Sequence, residues 1–167
     1  MSGYLTRGVL FVHSAPRALT RHIEWEVSNV LGMSVSFDWT DQPAANGTVR
    51  TEYSWQADAG TGAMLASGLR GWDHLRYEVT EEASHGVDGT RYSHTPELGI
   101  FCSAIDAHGN LLINEDRVRR ALDLVVSDSH ASRLALELAL GSAWDEELEP
   151  FRYAGDGAPV RWLHRAS

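Results

Sequence analysis

The segment GVLFVH at residues 8–13 is short, rich in β-branched and aromatic residues and bounded by turn-forming residues, a pattern typical of a buried β-strand. Ser14 and Pro16 follow, and we interpret them as the start of a helix, because serine can cap a helix and proline is tolerated in its first turn. Apolar residues then recur at helical spacing as far as Gly32, which is placed to end the helix. The chain is therefore expected to begin with a strand and a helix.

Three later segments, at residues 35–39, 49–55 and 75–79, alternate apolar and polar residues, which predicts three further strands. Between the last two, the GTG segment at residues 60–62 is expected to open a second helix. Its inward-facing residues are expected to be Met64, Leu65 and Leu69. The resulting order β-α-β-β-α-β predicts the α+β class and, more narrowly, a ferredoxin-like split βαβ fold with two helices on one face of an antiparallel sheet.

The next part of the chain predicts more strands. Residues 91–94 and 99–106 have strand patterns, and a tight turn at residues 107–110 leads into a short apolar run at residues 111–113. Together with the first segments, these strands predict a sheet that extends beyond the four strands of the split βαβ unit.

The last third predicts a helical pair. Asn114 is followed by two acidic residues and marks a helix N-terminus. A second helix is expected over about residues 132–149, with Pro150 ending it, and residues 160–163 suggest an edge strand. We interpret residues 1–167 as a single domain, made of a sheet part (1–113), a helical part (114–154) and a tail (155–167).

Charge and composition exclude several functions before any motif is considered. The chain of 167 residues carries a formal net charge of −9, and all 14 of its basic residues are arginine. Without lysine, neither Schiff-base chemistry nor a P-loop or kinase-type lysine is available. The acidic excess argues against nucleic acid as the main partner, because duplex binding needs cations that neutralise phosphates.

Cysteine usage and hydropathy bear on the compartment. The chain has one cysteine, Cys102, which cannot form an intramolecular disulfide and favours a reducing, cytoplasmic setting. The apolar run at residues 9–12 is too short for a secretion signal, and no stretch approaches the roughly 20 apolar residues of a membrane span. We therefore expect a cytoplasmic protein without a membrane partner.

The turn Gly60-Thr61-Gly62 is the most suggestive feature for ligand binding. It opens a helix, so its free backbone N–H groups could hold the phosphate of an anionic metabolite. Arg70 and Arg76 are the nearest cations in the sequence. The alternative interpretation, which weighs more, is a simple helix cap without a ligand.

The segment HTPELG, at residues 94–99, places a proline in a strand, which requires an edge or a bulge. With Arg76 nearby, His94 could belong to a polar recognition loop, and an ordinary bulge is the alternative. The eight histidines show none of the close pairs typical of metal sites, and the apolar surroundings of Cys102 indicate a core residue. We therefore predict no catalytic residue, no metal and no cofactor.

The acidic stretch at residues 145–149 is flanked by the aromatic residues Trp144, Phe151 and Tyr153. Such a stretch is usually a solvated helix face, but aromatic side chains are favoured at protein interfaces. These three aromatic residues are the candidate contacts with a protein partner.

Two motifs, HTPELG at residues 94–99 and AWDEELEP at residues 143–150, resemble an actinobacterial family of small proteins known as a domain of unknown function. Further matching segments are HSA (13–15), HIEW (22–25), GTGA (60–63), LRYEVTE (75–81) and WL (162–163). The resemblance implies no activity and no catalytic residues. Family genes often lie near those for fatty-acid synthesis and pyruvate oxidation, which implies a pathway but not a chemistry.

These observations lead to two hypotheses on function. The first is a cytoplasmic binding or regulatory module that acts through protein contacts, with an enzyme of fatty-acid or pyruvate metabolism as the partner that the resemblance implies. The alternative is a small enzyme or sensor for an anionic acyl or phosphorylated metabolite, with His94 as general base. An exposed histidine with a carboxylate partner in a pocket would favour the enzyme, and an exposed apolar patch would favour the binding module.

Overall fold

A computed structural model describes residues 4–153 of the chain. The strands are β1 Leu5–Pro16, β2 Thr40–Asp41, β3 Thr48–Asp58, β4 Arg76–Glu81, β5 Gly89–Thr95, β6 Gly99–Ile105 and β7 Leu111–Leu112. The helices are α1 Thr20–Leu31, α2 Thr61–Leu69, α3 Glu115–Val125, α4 Ser129–Leu140 and α5 Ser142–Arg152, with a 3-10 turn at Arg17–Leu19. The seven strands form one antiparallel sheet in the order β2-β3-β1-β4-β5-β6-β7, so the predicted α+β class is confirmed.

Strand β1 is paired with β3 on one side and with β4 on the other. Leu10 lies opposite Tyr53 of β3 and Val79 of β4, so these three side chains share one face of the sheet. Helices α1 and α2 cover this face and bury Ile23 and Leu65 against it. This face forms the main hydrophobic core.

The opposite face of the same strands carries polar side chains that are nevertheless buried. Because side chains alternate along a strand, Arg76 and Glu78 of β4 point away from α1 and α2. A register shift in β1 between Val12 and Ser14 accompanies the turn of His13 toward Glu78. Helix α5 covers this second face, where Arg152 reaches Glu78.

The prediction of a strand at residues 35–39 is wrong. The amides of Val35 and Phe37 donate to side chains of α1, to Ser28 Oγ at 2.9 Å and to Glu24 Oε1 at 3.0 Å. These backbone groups are satisfied by a helix instead of a strand, so pairing with β3 begins only at Thr40–Asp41. The alternating pattern arose because Val35 and Phe37 are buried in the core.

The single helix expected over residues 132–149 is in fact two, α4 and α5, separated at Gly141. Gly141 has φ +71, and a Cβ there would lie 2.5 Å from the Phe101 ring, so the break needs a glycine at this contact. Pro150 does not end α5, which continues to Arg152. A proline within a helix removes one amide donor and crowds the carbonyl four residues earlier, but Arg152, two residues further on, is held by its hydrogen bonds to Glu78.

Three local expectations also need correction. Ser14 and Pro16 belong to β1, and a 3-10 turn separates them from α1. Met64 is exposed instead of inward-facing, and Cys102 is exposed instead of being in the core. Cys102 lies on β6, three strands from β1, beyond the part of the core face that α1 and α2 cover.

Two predictions concern the last third of the chain, a helix N-terminus at Asn114 and an edge strand at residues 160–163. Asn114 caps α3 as predicted, its Oδ1 accepting from the Asp116 amide at 2.8 Å. The edge strand expected at residues 160–163 lies outside the described residues, and the division of the chain into sheet part, helical part and tail stays a prediction.

Candidate functional site

The turn at the start of α2 holds an anion that belongs to the protein itself. The amide of Gly60 donates to Glu81 Oε1 and the amide of Gly62 to Glu81 Oε2, each at 2.7 Å. Thr61 is buried, and its hydroxyl donates to the Asp58 carbonyl. The Glu81 carboxylate therefore occupies the position expected for a phosphate, and ligand binding at this turn stays a prediction.

The other residues proposed for that site do not come together around it. Arg70 caps the far end of α2 and is exposed. Arg76 lies on the opposite face of the sheet, where its guanidinium stacks 4.4 Å above the Phe151 ring. His94 is on the α2 side but is buried, with Nδ1 2.9 Å from the Leu75 carbonyl and its ring stacked on Tyr77.

A buried network of charged groups lies under α5. Glu78 is fully buried and binds Arg152, His13 and Ser93, with Arg152 Nε to Oε2 at 2.9 Å, His13 Nε2 to Oε2 at 2.7 Å and Ser93 Oγ to Oε1 at 3.1 Å. Burial alone would raise the pKa of Glu78, but the hydrogen bonds and charges of His13 and Arg152 outweigh it and hold that pKa far below its usual range. The network keeps a charged carboxylate in the interior.

The network continues into the acidic residues of α5. Asp145 Oδ1 accepts from Arg152 at 2.9 Å and from Arg91 at 3.3 Å. Glu147 accepts from the Thr95 hydroxyl at 2.7 Å. These two acids face the sheet and hold α5 on it. The sequence alone also allowed the interpretation that this acidic side of the helix is solvated.

Trp144 and Phe151, which were predicted as interface contacts, make contacts within the protein. Trp144 donates its indole N–H to the Gly99 carbonyl at 3.0 Å and packs against Phe101. Phe151 lies under the Arg76 guanidinium, and its carbonyl accepts from Gln42. Tyr153 is exposed. Contact of these residues with a partner stays a prediction.

A cleft that no sequence motif indicated lies between β6 and the helices α3 and α4. It consists of two adjoining cavities of about 480 and 380 Å³ that share Arg117, Arg120 and Ala139. Ser103 lines the larger cavity and Phe101 the smaller one. Arg117, Arg119 and Arg120 form a cluster of arginines in the sequence, but nothing local indicated that β6 would lie beneath it.

Helix α3 also leaves apolar side chains without cover. Leu122 and Val125 are 61% and 50% exposed, and Val126, directly after the helix, is 97% exposed. Positions 122, 125 and 126 are neighbours on one helix face, so they form a single stripe. We call these three residues the α3 stripe.

Residues 4–153 contain neither a metal-ligand cluster nor a membrane-spanning helix. No three His, Cys, Asp or Glu side chains in this part of the chain group as metal ligands. None of its helices combines the length and the apolar character that a membrane crossing requires.

The fold and the cleft define a small α+β protein whose antiparallel sheet carries helices on both faces and a two-part cavity beside β6. The chain belongs to the family described as Protein of unknown function (DUF3145), whose model matches residues 9–165. The resemblance to a family of unknown function is thereby confirmed. No curated protein and no solved structure matches the chain.

Proposed function

We propose that this protein is a binding and regulatory module that acts through contact with another protein. The observation that carries the proposal is the α3 stripe, because three neighbouring apolar side chains stay largely exposed on an otherwise amphipathic helix. Exposed apolar clusters of this kind are typical of protein contact surfaces. An enzyme of fatty-acid or pyruvate metabolism is the proposed partner, on the basis of the family resemblance alone.

The occupant we propose for the α3 stripe is a different protein with an apolar helix face. The spacing of Leu122, Val125 and Val126 suits packing against a second helix, which would bury all three side chains. A second copy of this chain fits less well, because two chains that each carry a net charge of −9 repel one another.

The alternative of an enzyme with His94 as general base has weaker support. Within the described residues, His13 is the one histidine that hydrogen-bonds a carboxylate, and it is buried. His94 is buried too, and its Nδ1 is engaged with a backbone carbonyl. A general base must reach its substrate, so neither histidine fits that role.

Two finer features are part of the proposal. We propose a ferredoxin-like arrangement for β1 to β4, supported by the order β2-β3-β1-β4 with antiparallel neighbours and by α1 and α2 on one face. We also propose a cytoplasmic location, supported by the free, exposed thiol of Cys102, which a reducing compartment keeps intact.

The test compares three baits in native cytoplasm: the wild type, Leu122→Asp/Val125→Asp, and Met33→Asp as a control at an equally exposed apolar residue outside α3. A protein recovered with the wild type and the control is then purified and titrated. We expect the double variant to bind it at least about tenfold more weakly, since two apolar contacts are lost.

Two results would contradict the proposal. One is equal affinity of the purified partner for the wild type and the double variant. The other is a wild-type dimer, seen by light scattering, that the double variant breaks, because the α3 stripe would then bind a second copy.

A further inference from the structure

The two adjoining cavities beside β6 differ in chemical character. The larger, of about 480 Å³, is the more polar of the two: Ser103, Asn114, Asp88 and Asp116 line it together with apolar residues such as Leu112 and Ile113. The smaller, of about 380 Å³, is lined by Phe101, Ala135, Leu138 and Ala139 besides the two arginines. Arg117 and Arg120 line both, so they stand where the polar part meets the apolar part. Cavities of this size accommodate small organic molecules.

The positive charges of the two arginines are not neutralised by an ion pair within the described segment. Neither Arg117 nor Arg120 forms an ion pair with any residue of the described segment 4–153. By contrast, Arg119 between them pairs with Glu115, and Arg133 of α4 pairs with Glu137. Two guanidinium groups that have no carboxylate partner in the described segment favour an anionic group at the junction of the cavities.

Ser103 is a second, independent sign of a ligand. The residue is 8% exposed, and its Oγ has no hydrogen-bond partner among the described residues. A buried hydroxyl without a partner costs free energy, and such groups are rare unless something else satisfies them. Ser103 lines the same cavity as the two arginines, so a ligand bound there could satisfy its hydroxyl.

Acidic residues limit where the anionic group of a ligand can lie. Asp88 and Asp116 border only the larger cavity and repel an anion close to them, so the anionic group is expected at the junction, beside the two arginines. The smaller cavity has no carboxylate among its lining residues and suits an apolar chain. We propose that the cleft binds an amphiphilic anion: a carboxylate or phosphate held by Arg117, Arg120 and Ser103, with an apolar chain lying against Phe101 and Leu138.

This site is separate from the protein contact proposed above. Arg117 and Arg120 lie on the side of α3 that faces β6, whereas Leu122 and Val125 lie on a different side at helical spacing. Variants of one surface therefore leave the other intact, and failure of either proposal is distinguishable from failure of the other.

The experiment titrates the full chain calorimetrically with decanoate and decyl phosphate below their micelle concentrations. Decanol tests the need for the charge, and acetate and inorganic phosphate test the need for the chain. We expect at least one of the two anionic amphiphiles to bind. The ratio of their dissociation constants shows whether the carboxylate or the phosphate headgroup is preferred. Arg117→Gln and Arg120→Gln should each weaken that binding about tenfold, whereas Arg119→Gln, already paired with Glu115, should not change it.

Ser103→Ala should weaken binding without lowering the melting temperature, because the hydroxyl makes no hydrogen bond to any residue in the segment 4–153. The inference is overturned if neither amphiphile binds, if decanol or the short anions bind as tightly, or if Arg119→Gln weakens binding as much as Arg117→Gln and Arg120→Gln.

Discussion

Arg152, at the end of α5, binds Glu78, in the middle of β4, through two guanidinium nitrogens, although 74 positions separate the two residues. Both side chains are almost fully buried, at 2% and 0% exposure. A buried ion pair is stable only when its remaining hydrogen-bonding groups are also satisfied, and His13, Ser93 and Asp145 do this here. The pair thereby holds the last described helix on the sheet.

Replacing Arg152 with methionine should strongly destabilise the protein. The substitution leaves Glu78 buried without its main counter-charge, and breaking such a pair typically costs about 3–5 kcal/mol of unfolding free energy. Urea unfolding measures this loss. As a control, Arg133→Met removes an arginine from an exposed pair and should leave the unfolding midpoint unchanged. Equal midpoints for the two variants would show that the buried pair does not stabilise the fold.

Acid should destabilise the protein through Glu78. Its pKa in the folded chain lies below its ordinary value of 4.5, because the partners of Glu78 outweigh the effect of burial. Its contribution to stability is therefore complete above that ordinary value and is lost as the pH falls from there toward the folded pKa. The unfolding free energy, measured by urea at about pH 7, 5 and 3, should fall less steeply for Glu78→Gln than for the wild type. Parallel curves for the two proteins contradict the assignment.

Removing the carboxylate of Glu81 should free the turn at the start of α2. In Glu81→Ala the amides of Gly60 and Gly62 lose their acceptor, which should cost about 2 kcal/mol. Sulfate should then raise the melting temperature of this variant more than that of the wild type, because the helix N-terminus can accept an external anion. The control is Glu82→Ala, because Glu82 is the exposed neighbour of Glu81. If sulfate raised the melting temperatures of the wild type, Glu81→Ala and Glu82→Ala equally, that result would count against an anion site at this turn.

Replacing Gly141 with alanine should lower the unfolding free energy more than replacing Gly32 with alanine. Both glycines end a helix with positive φ, +71 and +66, so alanine is strained at either position by about 1 kcal/mol. Only at Gly141 would the new Cβ also collide with the Phe101 ring, at 2.5 Å, whereas nothing lies within 4 Å at Gly32. Urea unfolding should therefore show a larger loss for Gly141→Ala, by about 1–3 kcal/mol. Similar losses would mean that Phe101 moves aside.

Much of the framework could be predicted because it depends on near neighbours. The strand at residues 8–13, helix α1 and its end at Gly32, and the cap at Asn114 all follow from residues within a few positions of one another. The segment at residues 35–39 misled the prediction because burial alternates there without a sheet partner.

The candidate sites were mostly beyond such patterns. Gly60 and Gly62 were correctly placed at a helix start, but the carboxylate that fills this turn comes from Glu81, about 20 residues away. Arg117 and Arg120 were visible as part of a cluster, yet their importance depends on Ser103 of β6 lying beside them. No pattern within a short window records such a contact.

The sequence by itself determined the class of fold, the absence of lysine chemistry and the family. Only the tertiary structure decided that Glu78 is a buried anchor instead of a polar surface residue, and that the turn at Gly60 holds the protein's own anion. The physical reason is range. Propensity and periodicity act between neighbours along the chain, whereas the burial and pairing of charges depend on which distant segment covers them, as α5 covers Glu78.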